Sequence, residues 1–164
     1  SNRAMTRSEL EKLSLYLYGK NQLTLSDAQK IIIDSSALQT ADLTYAMFGG
    51  DTTKSLKLYP KVLDIETPVI LIRVFLIYVR KLLSIYDSIE SGTTINDALK
   101  INGFRFFKIV PVIKKHLQLW SVPKLLKCMQ LLIDTDIRCK SKDAPTNIFV
   151  SDMIIRITKI AVKN

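Results

Sequence analysis

His116 is the only histidine in this chain of 164 residues, and so the only side chain whose ordinary pKa lies near neutrality. Nucleophilic catalysis needs such a base next to a hydroxyl or thiol. His116 instead follows Lys114 and Lys115, whose charge disfavours its protonation, and no Ser or Cys stands beside it at a recognisable spacing. It reads as a surface or helix-end histidine. Cys128 and Cys139 share a face if one helix carries both, but then lie about 16 Å apart along its axis. A disulfide would require that helix to break, because bridged Cα atoms lie within about 7 Å of each other. The two read as free, buried thiols of a reducing compartment. With a single His they cannot supply a four-ligand zinc set.

The remaining chemistry-bearing types fare no better. Asp134 and Asp136 are two residues apart, and on a helix such positions point to different faces, so they cannot clamp one metal ion. Asp136 with Lys140 is the favourable acid-first i,i+4 pair, a structural contact of about 0.2 to 0.5 kcal/mol. Neither GGDTTKS nor LYGKNQ has the glycine-lysine-hydroxyl pattern of a phosphate loop. Asp51 argues further against one, because an acid at a helix start occupies the positive dipole end that a phosphate would use. No catalytic residue, cofactor site or metal site is expected.

Two basic stretches remain. Lys108, Lys114, Lys115, Lys124 and Lys127 surround Trp120, with Phe104, Phe106 and Phe107 nearby, a mixture able to meet a nucleic-acid backbone and its bases. At helical spacing the aromatics face the core and the lysines face water. Arg156, Lys159 and Lys163 recur at i, i+3 and i+7, one basic stripe on the last helix. Lys and Arg outnumber acids 24 to 15, giving +9, which favours encounter with anionic partners without specifying a site.

The elements that carry these residues are helical. Thr6 with Glu9 has capping-box spacing and opens a helix that ends at Gly19; Leu10, Leu13 and Leu17 form its apolar face. Thr24 with Asp27 starts a second helix. The polar DSSALQT from Asp34 to Thr40 is the best linker in the chain. A short helix from Ala41 to Phe48 ends at Gly49-Gly50, and Asp51 or Thr52 caps the next, which reaches Leu63 with a kink near Leu56 from Pro60. Thr67-Pro68 opens the longest helix, ending near Ile89. Thr94 with Asp97 begins a short helix that closes at Gly103. Phe104 to Leu119 follows with Pro111 as an interruption, Ser121-Pro123 opens the helix bearing both cysteines, and the last runs from Asn147 to Val162. With no period-2 alternation, the fold is an all-α bundle of nine helices. The apolar run PVILIRVFLIYV is 12 residues and contains Arg73. A membrane span needs about 20, so the run reads as a helix surrounded by neighbours. At 48% hydrophobic residues the chain is a globular domain and not a disordered tail.

Glu9, Lys12, Leu13, Leu15, Tyr16, the LTLSDA of Leu23 to Ala28, Ala46 and Gly50-Asp51 resemble the delta subunit of bacterial DNA polymerase III, part of the clamp loader. The similarity continues through KSLKLYPKVL and the helix after Pro68 to LLIDTDIRCK, where the family pattern also sets an acid before a lysine, here Asp136 and Lys140. It departs at Ile65, where the family pattern has a glycine. The resemblance implies a C-terminal fragment: residues 1–36 as the end of a helical lid, with Ser1-Asn2 an expression remnant, and residues 37–164 as the collar. By that resemblance the collar would be non-catalytic and would hold delta in a cytoplasmic ring with the ATP-binding tau/gamma and the delta-prime subunits, while the sliding clamp would be met only through an absent N-terminal domain. The long helix from Pro68 and the last helix are the expected interface. The rival reading is a free-standing helical nucleic-acid-binding domain.

Overall fold

The computed structural model describes residues 25–163, with side-chain environments from residue 36 onward. Helices α1 (Leu25–Phe48), α2 (Thr52–Leu63), α3 (Pro68–Glu90), α4 (Ile95–Ile101), α5 (Val110–Leu119), α6 (Val122–Cys139) and α7 (Thr146–Val162) make an all-α bundle with no strand among the described residues. The helix expected before Gly19 lies outside them.

Local chemistry sets most of the boundaries. The Asp51 carboxylate caps α2, accepting from the Lys54 amide at 2.8 Å. Thr67 does the same for the Ile70 amide of α3, with Pro68 in the first turn. Thr94 accepts from the Asp97 amide at the start of α4. Ile65 needs no glycine, because among the described non-glycine residues only Asp143 has positive φ.

Three expectations fail. Asp34 to Thr40 is not a linker: α1 runs through it without a break, which merges two expected helices and makes α1, at 24 residues, longer than α3 at 23. The segment contains no Gly or Pro to break the helix, and Thr40 Oγ1 is buried without a hydrogen-bond partner among the described residues. Ser36 donates to Glu66 at 3.4 Å and the Thr44 hydroxyl to the Thr40 carbonyl at 2.8 Å. Pro111 does not interrupt a helix from Phe104 but sits in the first turn of α5, where its missing N–H costs nothing. Residues 104–109 are consequently a loop. Finally, α3 is not surrounded. Leu71, Ile72, Phe75, Tyr78, Val79, Leu82 and Ile85 are buried, whereas Ile70, Arg73 and Ile77 are exposed. Pro60 leaves α2 continuous.

Two helices organise the packing. α3 lies against α1, α4, α6 and α7, and α7 lies against α1, α2, α3 and α6. The Thr52 and Thr158 hydroxyls, 2.7 Å apart, tie the start of α2 to α7. The Arg138 guanidinium stands 4.0 Å over the Phe149 ring, joining the end of α6 to the start of α7.

The end of α1 is fixed from both near and far. Four carbonyls at a helix C-terminus lack intrahelical donors. Here Gly49 N donates to Tyr45 O, Asp51 N to Ala46 O and Gly50 N to Met47 O, the last two forming a Schellman pair around Gly50 at φ +79. The remaining carbonyl, of Phe48, accepts from the Trp120 indole N–H at 2.8 Å. A side chain at Gly50 would also strike α7, its Cβ falling 2.4 Å from Val162 Cγ1. Around this junction Phe48 packs on Trp120 (5.3 Å between centroids) and Tyr78 (4.6 Å), and Tyr78 meets Phe104 edge-on. Trp120→Phe removes the indole donor and strands a buried carbonyl. That costs about 1 to 3 kcal/mol, read as a thermal midpoint lowered by roughly 2 to 4 °C per kcal/mol in circular-dichroism melts.

Candidate assembly and nucleic-acid surfaces

His116 is on the last turn of α5 as a helix-end residue, but it is not on the surface: it is 1% exposed. Its Nδ1 lies 2.5 Å from the Tyr78 hydroxyl. Burial lowers its pKa to about 4, with Lys115 pushing the same way and a hydrogen bond to the Tyr45 backbone opposing. The neutral imidazole is therefore a structural link between α5, α3 and α1. The Lys115 effect was legible in the sequence; the larger effect, desolvation, was not, because it comes from residues distant in the chain. Cys128 and Cys139 are free and buried. Burial pushes the Cys128 thiol up to about 12, which keeps it protonated and unreactive.

Asp134 and Asp136 diverge as expected. Asp134 accepts from the Gln130 amide at 2.8 Å, while Asp136 pairs with Lys140 at 2.5 Å. The second oxygen of Asp136 is buried with no hydrogen-bond partner. No cluster of three metal-ligating side chains occurs among the described residues. Asp51 serves as the α2 cap, and Glu9, Lys12 and Leu13 lie outside the described residues.

The five lysines around Trp120 do not form one patch. Lys108 sits 5.8 Å over the Phe107 ring. Lys114 is half-buried on α5, and Lys115 lines a cavity of about 330 Å³ with Asp42, Asp51 and Lys54. The Lys124 ammonium donates to the Leu119 carbonyl at 3.1 Å. Lys127 faces α7, where it joins Arg156, Lys159 and Lys163, so the two basic stretches meet in part. Trp120 belongs to the core and cannot stack on a base. Of the other aromatics only Phe104 faces inward; Phe106 and Phe107 are 67% and 74% exposed and stack on each other. They escape the core because their segment is a loop, not a helix face.

A line of exposed aliphatic residues runs along α6, a helix not singled out from sequence. Leu126, Ile133 and Ile137 are 54%, 40% and 62% exposed and recur at i, i+7 and i+11, one line along the helix opposite the buried Leu125, Cys128, Leu132 and Thr135. The expected α3 and α7 contribute Ile70, Ile77, Ile148 and Val162. The signal in the sequence was that α6 carries apolar residues on two opposite sides.

No described helix is long and apolar enough to cross a membrane. Compared with protein-family models, with curated proteins and with solved structures, the chain matches none. Fold and surface together define an all-α bundle that leaves an apolar helix face and a basic aromatic loop open.

His116 also sets a pH dependence. Its pKa falls from about 6.5 in the unfolded chain to about 4 in the fold, so the unfolded state binds the extra proton between those values. The stability this group supports is complete above pH 6.5 and is lost as pH falls toward 4, by roughly 3 kcal/mol. Urea unfolding at both ends of that window yields a smaller drop for His116→Gln than for the parent chain.

Proposed function

We propose that this chain is a non-catalytic assembly module: the collar, with the end of the lid, of a clamp-loader delta subunit of the bacterial DNA polymerase III kind, working in the cytoplasm. The observation that carries the reading is the open apolar line of Leu126, Ile133 and Ile137 on α6, an area that a lone bundle leaves in water and a ring neighbour would cover. The all-helical fold and the residues that resemble the delta family support it. So do the two free, buried thiols, which suit a reducing compartment. The partners would be the tau/gamma and delta-prime kinds of subunit, with the sliding clamp reached through a domain outside this sequence.

Size-exclusion chromatography of the chain with purified tau/gamma and delta-prime subunits tests this. Co-elution is expected, and Leu126→Asp with Ile137→Asp weakens it by about tenfold or more while the melting curve is retained. Absence of any complex for the parent chain sinks the reading.

A second reading, direct contact with nucleic acid, is favoured by the Phe106–Phe107 pair with Lys108 at its edge. Two stacked, solvent-facing rings beside a cation are a platform for unstacked bases. Phe106→Ala with Phe107→Ala should weaken single-stranded DNA binding by about tenfold or more, at roughly 1 to 3 kcal/mol per stacked base. Charge reversal at Lys114 and Lys115 should change it much less, and equal effects of the two variants would assign binding to net charge alone.

A further inference from the structure

We infer that the groove between α6 and α7 is a docking site for an acidic amphipathic segment of a protein partner. The groove holds about 320 Å³ and is lined by Lys127, Leu131, Arg156, Lys159, Ile160 and Lys163. Arg156 and Lys159 lie on one face of α7 and Lys163 follows at its C-cap, the three cations spanning about 10 Å. The fourth, Lys127, faces them from α6. Arg156 is already paired with Asp152 at 2.9 Å, whereas no ion pair among the described residues uses Lys127, Lys159 or Lys163. Among the described residues, Lys127, Lys159 and Lys163 are thus gathered at the groove without an ion-pair partner.

The floor decides what kind of anion fits. Leu131 and Ile160 are half-buried aliphatics packed on the core, so the groove offers an apolar strip between basic rims. An amphipathic segment matches both at once: an aliphatic side chain enters the strip while flanking Asp or Glu residues meet the lysines, whose stems cover the walls. A single nucleic-acid strand matches less well, because it needs a stacking platform and the described lining residues include no aromatic ring. The groove is also separate from the apolar line on α6. Lys127 and Leu131 lie roughly 100° or more around the helix from Leu126 and Ile133, so a ring contact on that line leaves the groove open.

Fluorescence anisotropy with the whole chain tests the proposal. The probes are a labelled synthetic peptide of about five helical turns, with leucines at i, i+3, i+4 and i+7 among glutamates, a scrambled peptide of identical composition, and oligo(dT). The patterned peptide is expected to bind at least about tenfold tighter than the scrambled one. Lys127→Glu with Lys159→Glu weakens it by a similar factor, and Leu131→Gln weakens it without changing net charge. Circular dichroism reports that each variant is folded. Leu126→Asp with Ile137→Asp, which disrupts the proposed ring contact, leaves peptide binding unchanged, so failure of the assembly reading and failure of this one are distinct. Equal binding of the two peptides, or indifference to the lysine reversals, overturns the proposal. Displacement of the patterned peptide by oligo(dT) more readily than by unlabelled peptide also overturns it and assigns the groove to nucleic acid.

Discussion

The bundle depends on the hydrogen bond from the Trp120 indole to the Phe48 carbonyl, which joins residues 72 positions apart. A helix end inside a protein is a liability, because its last carbonyls need donors and water is excluded. α1 ends in the core, and the backbone of Gly49 to Asp51 satisfies all but one of those carbonyls. The indole meets the last. Its ring meanwhile packs on Phe48, so one residue both removes the polar defect and fills the space around it. The same solution recurs at the end of α5, where the Tyr86 hydroxyl on α3 lies against the carbonyls of Leu117 and Trp120. The C-terminal ends of α1 and α5 are thus closed by aromatic side chains from distant parts of the chain, which couples their positions to the elements that supply them.

His116 belongs to that arrangement. It stands between Tyr78 and the Tyr45 backbone, and burial keeps it neutral. A buried neutral imidazole can accept from one side and donate to the other, a pairing that neither lysine nor a carboxylate can make. The one residue with the right type for acid-base catalysis is consumed in holding α1, α3 and α5 together. With both thiols buried as well, the histidine and the two cysteines all lie in the core.

The basic, aliphatic and aromatic surface features are separated by the geometry of α6 and the loop before α5. α6 buries one side against α3 and α7, turns a basic flank to the groove it shares with α7, and exposes an aliphatic line on the side away from the core. Phe106 and Phe107 are held out by a loop between two helix ends, each fixed by backbone hydrogen bonds such as Phe104 N to Leu99 O.

Much of the secondary structure was legible because its causes are local. Asp51, Thr67 and Thr94 cap helices through amides three residues on, glycines close them, and proline opens them; each signal acts within one turn. The all-α class and the Asp136–Lys140 pair followed on the same ground. Where a local signal was weak, tertiary partners decided: Asp34 to Thr40 looked like a joint from its polarity, yet Ser36 reaches Glu66 and the helix continues. The inward or outward fate of individual residues was legible only in part: both cysteines, Trp120 and Phe104 are buried as expected. His116 went in, Phe106, Phe107 and the Leu126 line stayed out, and Lys127 found its basic neighbours on another helix. The sequence by itself determined the helix ends that carry a cap or a breaker, since those signals are short-range; the tertiary structure decided the continuity of α1 and most of which faces are core and which are open, because burial is a property of neighbours that the chain brings together from far apart.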